Sequence, residues 1–423
     1  MSVASEDSDG SALAGNDDPD SRHSSNGEDQ TGWANLHLPS LRISGFFGIG
    51  ELDISRLGKV TLLVGKNSTG KSTVLDAVEV FASRGRPQVI EHLLYRRNEL
   101  YGVPDDRPGP GTRDRETEMR PSWRSMFYGR QPDFGSQIKI SPNNATRDLQ
   151  IELIYHFKRF LPLGSGVEQP DDFDQLPHLG AKFGSFAEVW PVDPASIWAG
   201  DEHIPDMSMP HRMRRRATNG NRSEAEPVRT ARVGPDVVND AESTVLWDAI
   251  TLDQPARETV LDALRIPLGY SISHIAAIDG RAYSPYLATR TQRRLFASDP
   301  GEAGGVSLRG LGDGVLRFFQ AAASICGSRD GIVLIDEAEN GVHHSVMEKY
   351  WQLIFHLARD RNAQVIATTH SWDCVQGFAA AAIEDEEAEG VLVRIEKHGS
   401  EHRAIEYSED DLKVVARHQV EVR

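Results

Sequence analysis

Eight consecutive residues, Gly65-Lys66-Asn67-Ser68-Thr69-Gly70-Lys71-Ser72, fit the pattern G-x-x-x-x-G-K-[ST] in full. Such a loop suits phosphate chemistry for physical reasons. Its glycines let the backbone wrap round a β-phosphate, so successive N–H groups and the next helix N-terminus point at negative charge. Lys71 supplies a point charge to the β- and γ-phosphates, and the Ser72 hydroxyl is placed for Mg2+. The loop has the context it needs: the apolar strand KVTLLV enters it, and an amphipathic helix opening around Thr73 leaves it. A glycine-rich turn that binds nothing is the alternative, and this context disfavours it.

A phosphate loop also needs a carboxylate on a neighbouring strand for Mg2+ and a base that orients the attacking water. Gly331-Ile332-Val333-Leu334-Ile335-Asp336-Glu337 supplies both. Four apolar residues read as a fully buried strand with Asp336 at its C-terminal tip and Glu337 one residue beyond. Ligands of open α/β sheets lie at such tips, so Asp336 is expected to serve Mg2+ and Glu337 to act as general base. Two solvated acids capping a core strand are the plainer alternative. A second buried run, VIATTHS, ends in His370, which is placed to hydrogen-bond a γ-phosphate. His343, His344 and His356 lack metal-ligand spacing to any carboxylate cluster, so no zinc site is expected.

The elements that must position these groups follow from periodicity. From Leu41 the string LRISGFFGIGELDISRLGKVTLLVG reads as strands with short glycine turns, and residues 73–83 as a helix. Residues 85–122 are rich in Pro, Gly and Arg and look like a surface insertion. Strands are expected at 136–140 and 149–157. Residues 160–235 carry no clear pattern. Helices follow at 244–250 and 255–264. The last third alternates clearly: helix 315–326, strand 332–335, helix 342–358, strand 365–369, a further helix, strands 391–396 and 403–407, and a last helix opening at Ser408. That alternation implies an α/β architecture with a parallel sheet.

Composition limits the alternatives. A chain of 423 residues, 39% hydrophobic and 26% charged, can bury a sizeable core. No apolar run approaches the roughly 18 residues of a membrane span, and the N-terminus has no secretory pattern. Two cysteines exclude a disulfide scaffold and fit a reducing cytoplasm. The net charge of −17 argues against a protein that coats nucleic acid. Residues 1–35 hold eight acids against Arg22 alone and read as a disordered leader. Arg212, Arg214, Arg215 and Arg216, with Arg290, Arg293 and Arg294, could follow a phosphate backbone. No aromatic platform interleaves them, which favours ordinary surface arginines.

Taken together, SLRISGFFGIGELDI, LLVGKNSTGKSTVLDAV and LGDGVLRFF…GIVLIDEAENGVHHSV…VIATTHSWDCVQGF resemble the ABC-type AAA-family ATPases of the OLD/RecF/SMC-like group. The resemblance covers residues 37–83 and 305–423. It implies an ATP- and Mg2+-dependent P-loop NTPase head: a mixed, mostly parallel sheet with flanking helices and an inserted middle lobe. The chain then divides into a leader (1–35), two halves of the head (36–159 and 301–423) and an inserted helical lobe (160–300). Leu311-Gly312-Asp313-Gly314 sits where the signature loop belongs, so Gly312, Asp313 and Gly314 would touch the nucleotide held by a second copy in an ATP-dependent homodimer. Gly312 stands where the motif usually has Ser. Asn340, Gly341 and His343 occupy the D-loop region, and Gln131 and Gln137 are candidates for the Q-loop. Only 53 residues follow His370, too few for the TOPRIM nuclease domain of OLD nucleases. The resemblance therefore implies a cytoplasmic ATPase, off the membrane, acting with a separately encoded TOPRIM-type effector in a DNA-linked or phage-defence system. Nucleic acid is a further possible partner. A slowly hydrolysing, ATP-bound scaffold is the alternative.

Overall fold

The computed structural model describes residues 36–104, 117–143, 148–154, 177–197, 217–219, 226–235, 240–279, 293–298, 305–385, 389–407 and 411–412. The expected leader, Arg212, Arg214, Arg215, Arg216, Arg290 and the opening of a helix at Ser408 lie outside these residues. In chain order the first elements are β1 (Leu41–Phe46), β2 (Ile49–Ile54), β3 (Val60–Val64), α1 (Lys71–Ala82) and α2 (Pro87–Arg96). There follow β4 (Leu100–Pro104), β5 (Thr117–Pro121), β6 (Gln137–Ser141), β7 (Leu149–Ile154), β8 (His178–Phe183) and β9 (Phe186–Pro191). The short α3 (Pro194–Ile197), β10 (Ala217–Asn219), β11 (Thr230–Val233), α4 (Asp240–Ile250) and α5 (Gln254–Leu268) come next. β12 (His274–Asp279), β13 (Arg293–Ser298) and β14 (Val306–Ser307) lead to α6 (Asp313–Gly327), β15 (Ile332–Ile335) and α7 (Met347–Asp360). β16 (Gln364–Thr368), α8 (Trp372–Glu384), β17 (Gly390–His398) and β18 (Glu401–Tyr407) complete the series.

The central sheet runs β11-β15-β16-β3-β17-β18, parallel except for β18. Every residue of β3, β15 and β16 is buried, as expected of parallel strands covered on both faces. A second sheet, β10-β9-β8-β7-β6-β1-β2, is antiparallel throughout. Alternating burial in β1 and β2 explains their place there. α1 packs against strands of both sheets, which is why ten of its twelve residues are buried. On the other face of the parallel sheet, α4 to α8 build the main apolar core around Phe318, Phe319, Tyr350, Trp351 and Phe378.

Three expectations change. The stretch at 85–122 contains α2, whose Ile90, Leu93 and Leu94 are buried, so this part of the supposed surface insertion is packed. Residues 160–300 do not stand apart as a lobe in their described parts. β8 and β9 extend the antiparallel sheet, β11 is an edge of the parallel sheet, and α4 and α5 join the main core. Finally, the helix expected from 342 opens only at Met347, after a turn of 3-10 helix (His344–Val346).

Candidate nucleotide site

Register places the site. Val233 of β11 pairs with Ile335 of β15, Ile335 with Ala367 of β16, and Thr368 of β16 with Leu63 of β3. Four C-terminal ends therefore stop at one level, and the phosphate loop, Asp336 and His370 emerge side by side. The loop needs backbone that favours glycine. Gly65 has φ +146, and a side chain there would collide with the Ile395 carbonyl of β17. Gly70 caps α1 with φ +97.

Lys71 is buried at the base of the loop. Its Nζ donates to the carbonyls of Gly65 (2.7 Å) and Lys66 (2.9 Å) and lies 3.3 Å from His370 Nδ1. Burial pushes the ammonium down to about 8, opposed by the charges of Glu339, Asp336 and Glu337. Thr69 Oγ1 donates to the Lys66 carbonyl over 2.9 Å and tightens the same turn. Lys66, Asn67 and Ser68 form the exposed tip.

Asp336 is 4% exposed and hydrogen-bonded on both oxygens. Oδ1 accepts from Ser72 Oγ (3.0 Å) and Thr368 Oγ1 (2.7 Å), and Oδ2 accepts from Arg232 Nη2 of β11 (3.1 Å). A serine hydroxyl and a carboxylate are hard oxygen donors, the chemistry Mg2+ takes from a protein while keeping waters and phosphates as its other ligands. The loop and this pair therefore fit a magnesium–nucleotide complex. Glu337 has φ +49, its N–H donates to Thr368 Oγ1, and its Oε2 accepts from Asn340 Nδ2 over 2.7 Å. Beneath both acids Arg317 of α6 donates to the carbonyls of Asp336, Glu337 and Gly234, each at 2.6 Å. The His370 N–H donates to Glu339 Oε1 over 2.7 Å.

A cleft of about 390 Å3 opens over these groups, lined by Ser68, Thr69, Gly70, Lys71, Ser72, Thr73, Asp336 and His370. Asp76, Arg96, Arg97 and Arg232 also line it, and the spacing of motifs did not single them out. Asp76, 1% exposed, receives Arg96 Nη2 (3.0 Å), Arg97 Nε (2.6 Å) and Arg232 Nη1 (2.7 Å). Arg96 and Arg232 also reach Glu79, at 2.7 and 3.2 Å. One signal was available: Asp76 is a carboxylate four residues after Ser72, set among the apolar Val74, Leu75, Ala77 and Val78 of α1.

Other expected residues lie elsewhere. Glu337 is beside the cleft but does not line it. Gly312, Asp313 and Gly314 form the start of α6, with Asp313 and Gly314 against the turn at Gly341, and none lines the cleft of its own chain. Neither Gln131 nor Gln137 lines the cleft, and Gln137 donates to Glu152 instead. Arg293 is paired with Asp248.

The chain is similar to several known proteins. Residues 207–373 match a family described as "AAA domain, putative AbiEii toxin, Type IV TA system". The chain is 23% identical over 345 residues to an "ATP/GTP phosphatase" of Helicobacter pylori (strain ATCC 700392 / 26695), covering 80% of this chain and 86% of that protein. Among solved structures it is similar to an SMC head bound to the C-winged helix domain of ScpA, at 12% identity and TM-score 0.47, over 89% of this chain and 100% of that one. The SMC head domain from Thermotoga maritima is similar at 13% identity and TM-score 0.38, over 88% and 100%. The stretch that is similar to the AAA domain holds Asp336, Glu337 and His370, and the fold around it is α/β. No helix among the described residues is long and apolar enough to cross a membrane.

Proposed function

We propose that this chain hydrolyses ATP with Mg2+ in the cleft over Lys71 and Asp336, and that ATP joins two copies into a homodimer. The observation that carries the reading is the Ser72–Asp336 hydrogen bond, which puts the hydroxyl and the carboxylate expected for Mg2+ in contact. Lys71 and the N–H groups of the loop bind the phosphates, and Ser72 and Asp336 hold the metal. Glu337 accepts the proton of the attacking water. His370, beside Lys71, senses the γ-phosphate. Bound Mg2+ would neutralise charge on the phosphate oxygens. In the wider role, the head is the ATPase or sensor of a cytoplasmic, DNA-linked or phage-defence system, of the OLD/RecF-like kind, with a separately encoded TOPRIM-type effector.

The Glu337–Asn340 hydrogen bond favours a second reading, a slowly turning ATP-bound scaffold, because a base held by an amide must be released before it can act. Phosphate release by the purified chain, wild type and Glu337→Gln, tests both. Turnover in the wild type and loss of about 100-fold or more in the variant, with ATP still bound, supports hydrolysis through Glu337. Equal rates in the two proteins would remove Glu337 from that role. A wild type that binds ATP and releases almost no phosphate would favour the scaffold.

A further inference from the structure

Arg232 stands between the two carboxylates that α1 and β15 contribute to the cleft. Nη2 donates to Asp336 Oδ2 and Nη1 to Asp76 Oδ1, at 3.1 and 2.7 Å. Its side chain is 12% exposed and those of Asp336 and Asp76 are 5% and 2% exposed, so these contacts are poorly screened by water. Arg96 and Arg97 hold Asp76 from the other side. Three arginines thus meet three carboxylates, Asp76, Glu79 and Asp336. Glu337 and Glu339 add charge nearby, but each is already engaged, by Asn340 and by the His370 N–H.

Consider a divalent ion arriving alone. Asp336 offers it no unengaged oxygen: Oδ1 serves two hydroxyls, and Oδ2 serves a guanidinium that a second cation would repel. An ion arriving on a triphosphate is different. It brings its own oxygen ligands and several negative charges, and the same arginine then attracts the complex.

We infer that Arg232 is a positioning residue that makes Asp336 a poor site for a free divalent ion, so that metal enters this cleft with the nucleotide. The inference rests on the proposed magnesium–nucleotide site and names an ordering device within it. Arg232 aims Asp336 through a charged hydrogen bond and excludes free metal by charge. Its removal leaves Asp76 paired with Arg96 and Arg97, so the wall of the cleft keeps its anchor.

Binding of Mn2+ alone, followed by electron paramagnetic resonance on the full chain, tests this directly. Wild type should bind free Mn2+ weakly. Arg232→Gln keeps a donor without the charge and should bind it roughly tenfold more tightly or better, the scale of one charge-assisted hydrogen bond. Arg232→Lys restores a cation and should behave like wild type, a rescue that a packing role would not give. Asp336→Asn added to Arg232→Gln should cancel the gain. Equal Mn2+ affinity in wild type and Arg232→Gln overturns the inference. Magnesium-dependent ATP binding by wild type, measured in parallel, separates the cases: if it is present the nucleotide site stands without the ordering, and if it is absent both fall.

Discussion

The Ser72 hydroxyl donates to Asp336 Oδ1 across 3.0 Å, tying the first turn of α1 to the tip of β15. The two residues are 264 positions apart, and β15 does not pair with the strand that leads into the loop. β16 lies between them, and its Thr368 donates to the same oxygen over 2.7 Å. One carboxylate thus reads the register of three strands. A slip of one residue in β16 would turn Thr368 to the opposite face and break the arrangement.

Lys71→Ala should lower ATP affinity by about 100-fold or more, because it removes the charge that meets two phosphates at once. In the wild type that charge is held by the Gly65 and Lys66 carbonyls. Calorimetric titration with a non-hydrolysable ATP analogue measures the change. Wild-type-like affinity in a variant with an unchanged melting curve would sink the assignment of the loop.

Much of this site could be read from the chain because its signals are local. The loop, the strand before it and the Asp336 strand are each contiguous runs, and fully buried parallel strands announce themselves as apolar strings. Arg232 could not be found that way. It sits in a short strand, TARV, beyond a Pro- and Asp-rich stretch, and only pairing with β15 reveals that it faces Asp336. Likewise α2 hides in an Arg-rich segment. Its pattern, PQVIEHLLYR, buries one narrow stripe, and Arg96 at its end, with the adjoining Arg97, is needed to pair Asp76. Long-range charge pairing has no period, so spacing rules miss it.

Gln364 offers a stability test away from the cleft. It is fully buried in β16, where Nε2 donates to the carbonyls of Leu38 (2.7 Å) and Gly58 (3.2 Å) and Oε1 accepts from the Leu38 N–H (3.0 Å). Gln364→Leu keeps the volume but orphans these backbone groups, at a cost of about 2–4 kcal/mol. Urea denaturation should show a lower midpoint with an unchanged slope. A loss under about half a kcal/mol would mean that water replaces the amide there and that Leu38 is not held by it.

Burial also governs the two thiols. It pushes Cys326 up to about 11 and Cys374 up to about 12, from an ordinary 9.0. At pH 8 the native thiolate fraction at Cys326 is then about a hundredth of that in the unfolded chain. Labelling by a disulfide reagent should wait for unfolding and accelerate with urea as the fold opens. The sign for stability follows from the raised values. The thiols favour the fold fully below pH 9, and the unfolded chain releases their protons first as pH rises towards 11. Stability should fall across that window in the wild type by more than in Cys326→Ala/Cys374→Ala. Rapid labelling of the native protein at pH 8 would contradict the packing around α6 and α8.

ATP-driven pairing of two copies is the last prediction, and the start of α6 is where it can be tested. Gly312 caps the helix with φ +105, and Gly312 and Asp313 are exposed. None of Gly312, Asp313 and Gly314 lines the cleft of its own chain, so the proposed contact with a nucleotide would be made to the cleft of a second copy. Two such contacts in one pair are related by a two-fold axis, and ATP then favours the paired state by its difference in affinity for the two. Gly314 is a poor place to probe this, since a Cβ there would lie 3.0 Å from the Gly341 carbonyl and disturb the loop itself. Asp313→Tyr instead adds bulk at an exposed position of the first turn. Sedimentation velocity of Glu337→Gln should show a doubled mass with Mg2+ and ATP and a single copy without them. Adding Asp313→Tyr should weaken that association by about tenfold or more, the loss of at least 1.4 kcal/mol, while ATP binding to one copy persists. Identical sedimentation with and without ATP rules out nucleotide-driven pairing, and an unchanged dimer in the double variant rules out this loop as its contact.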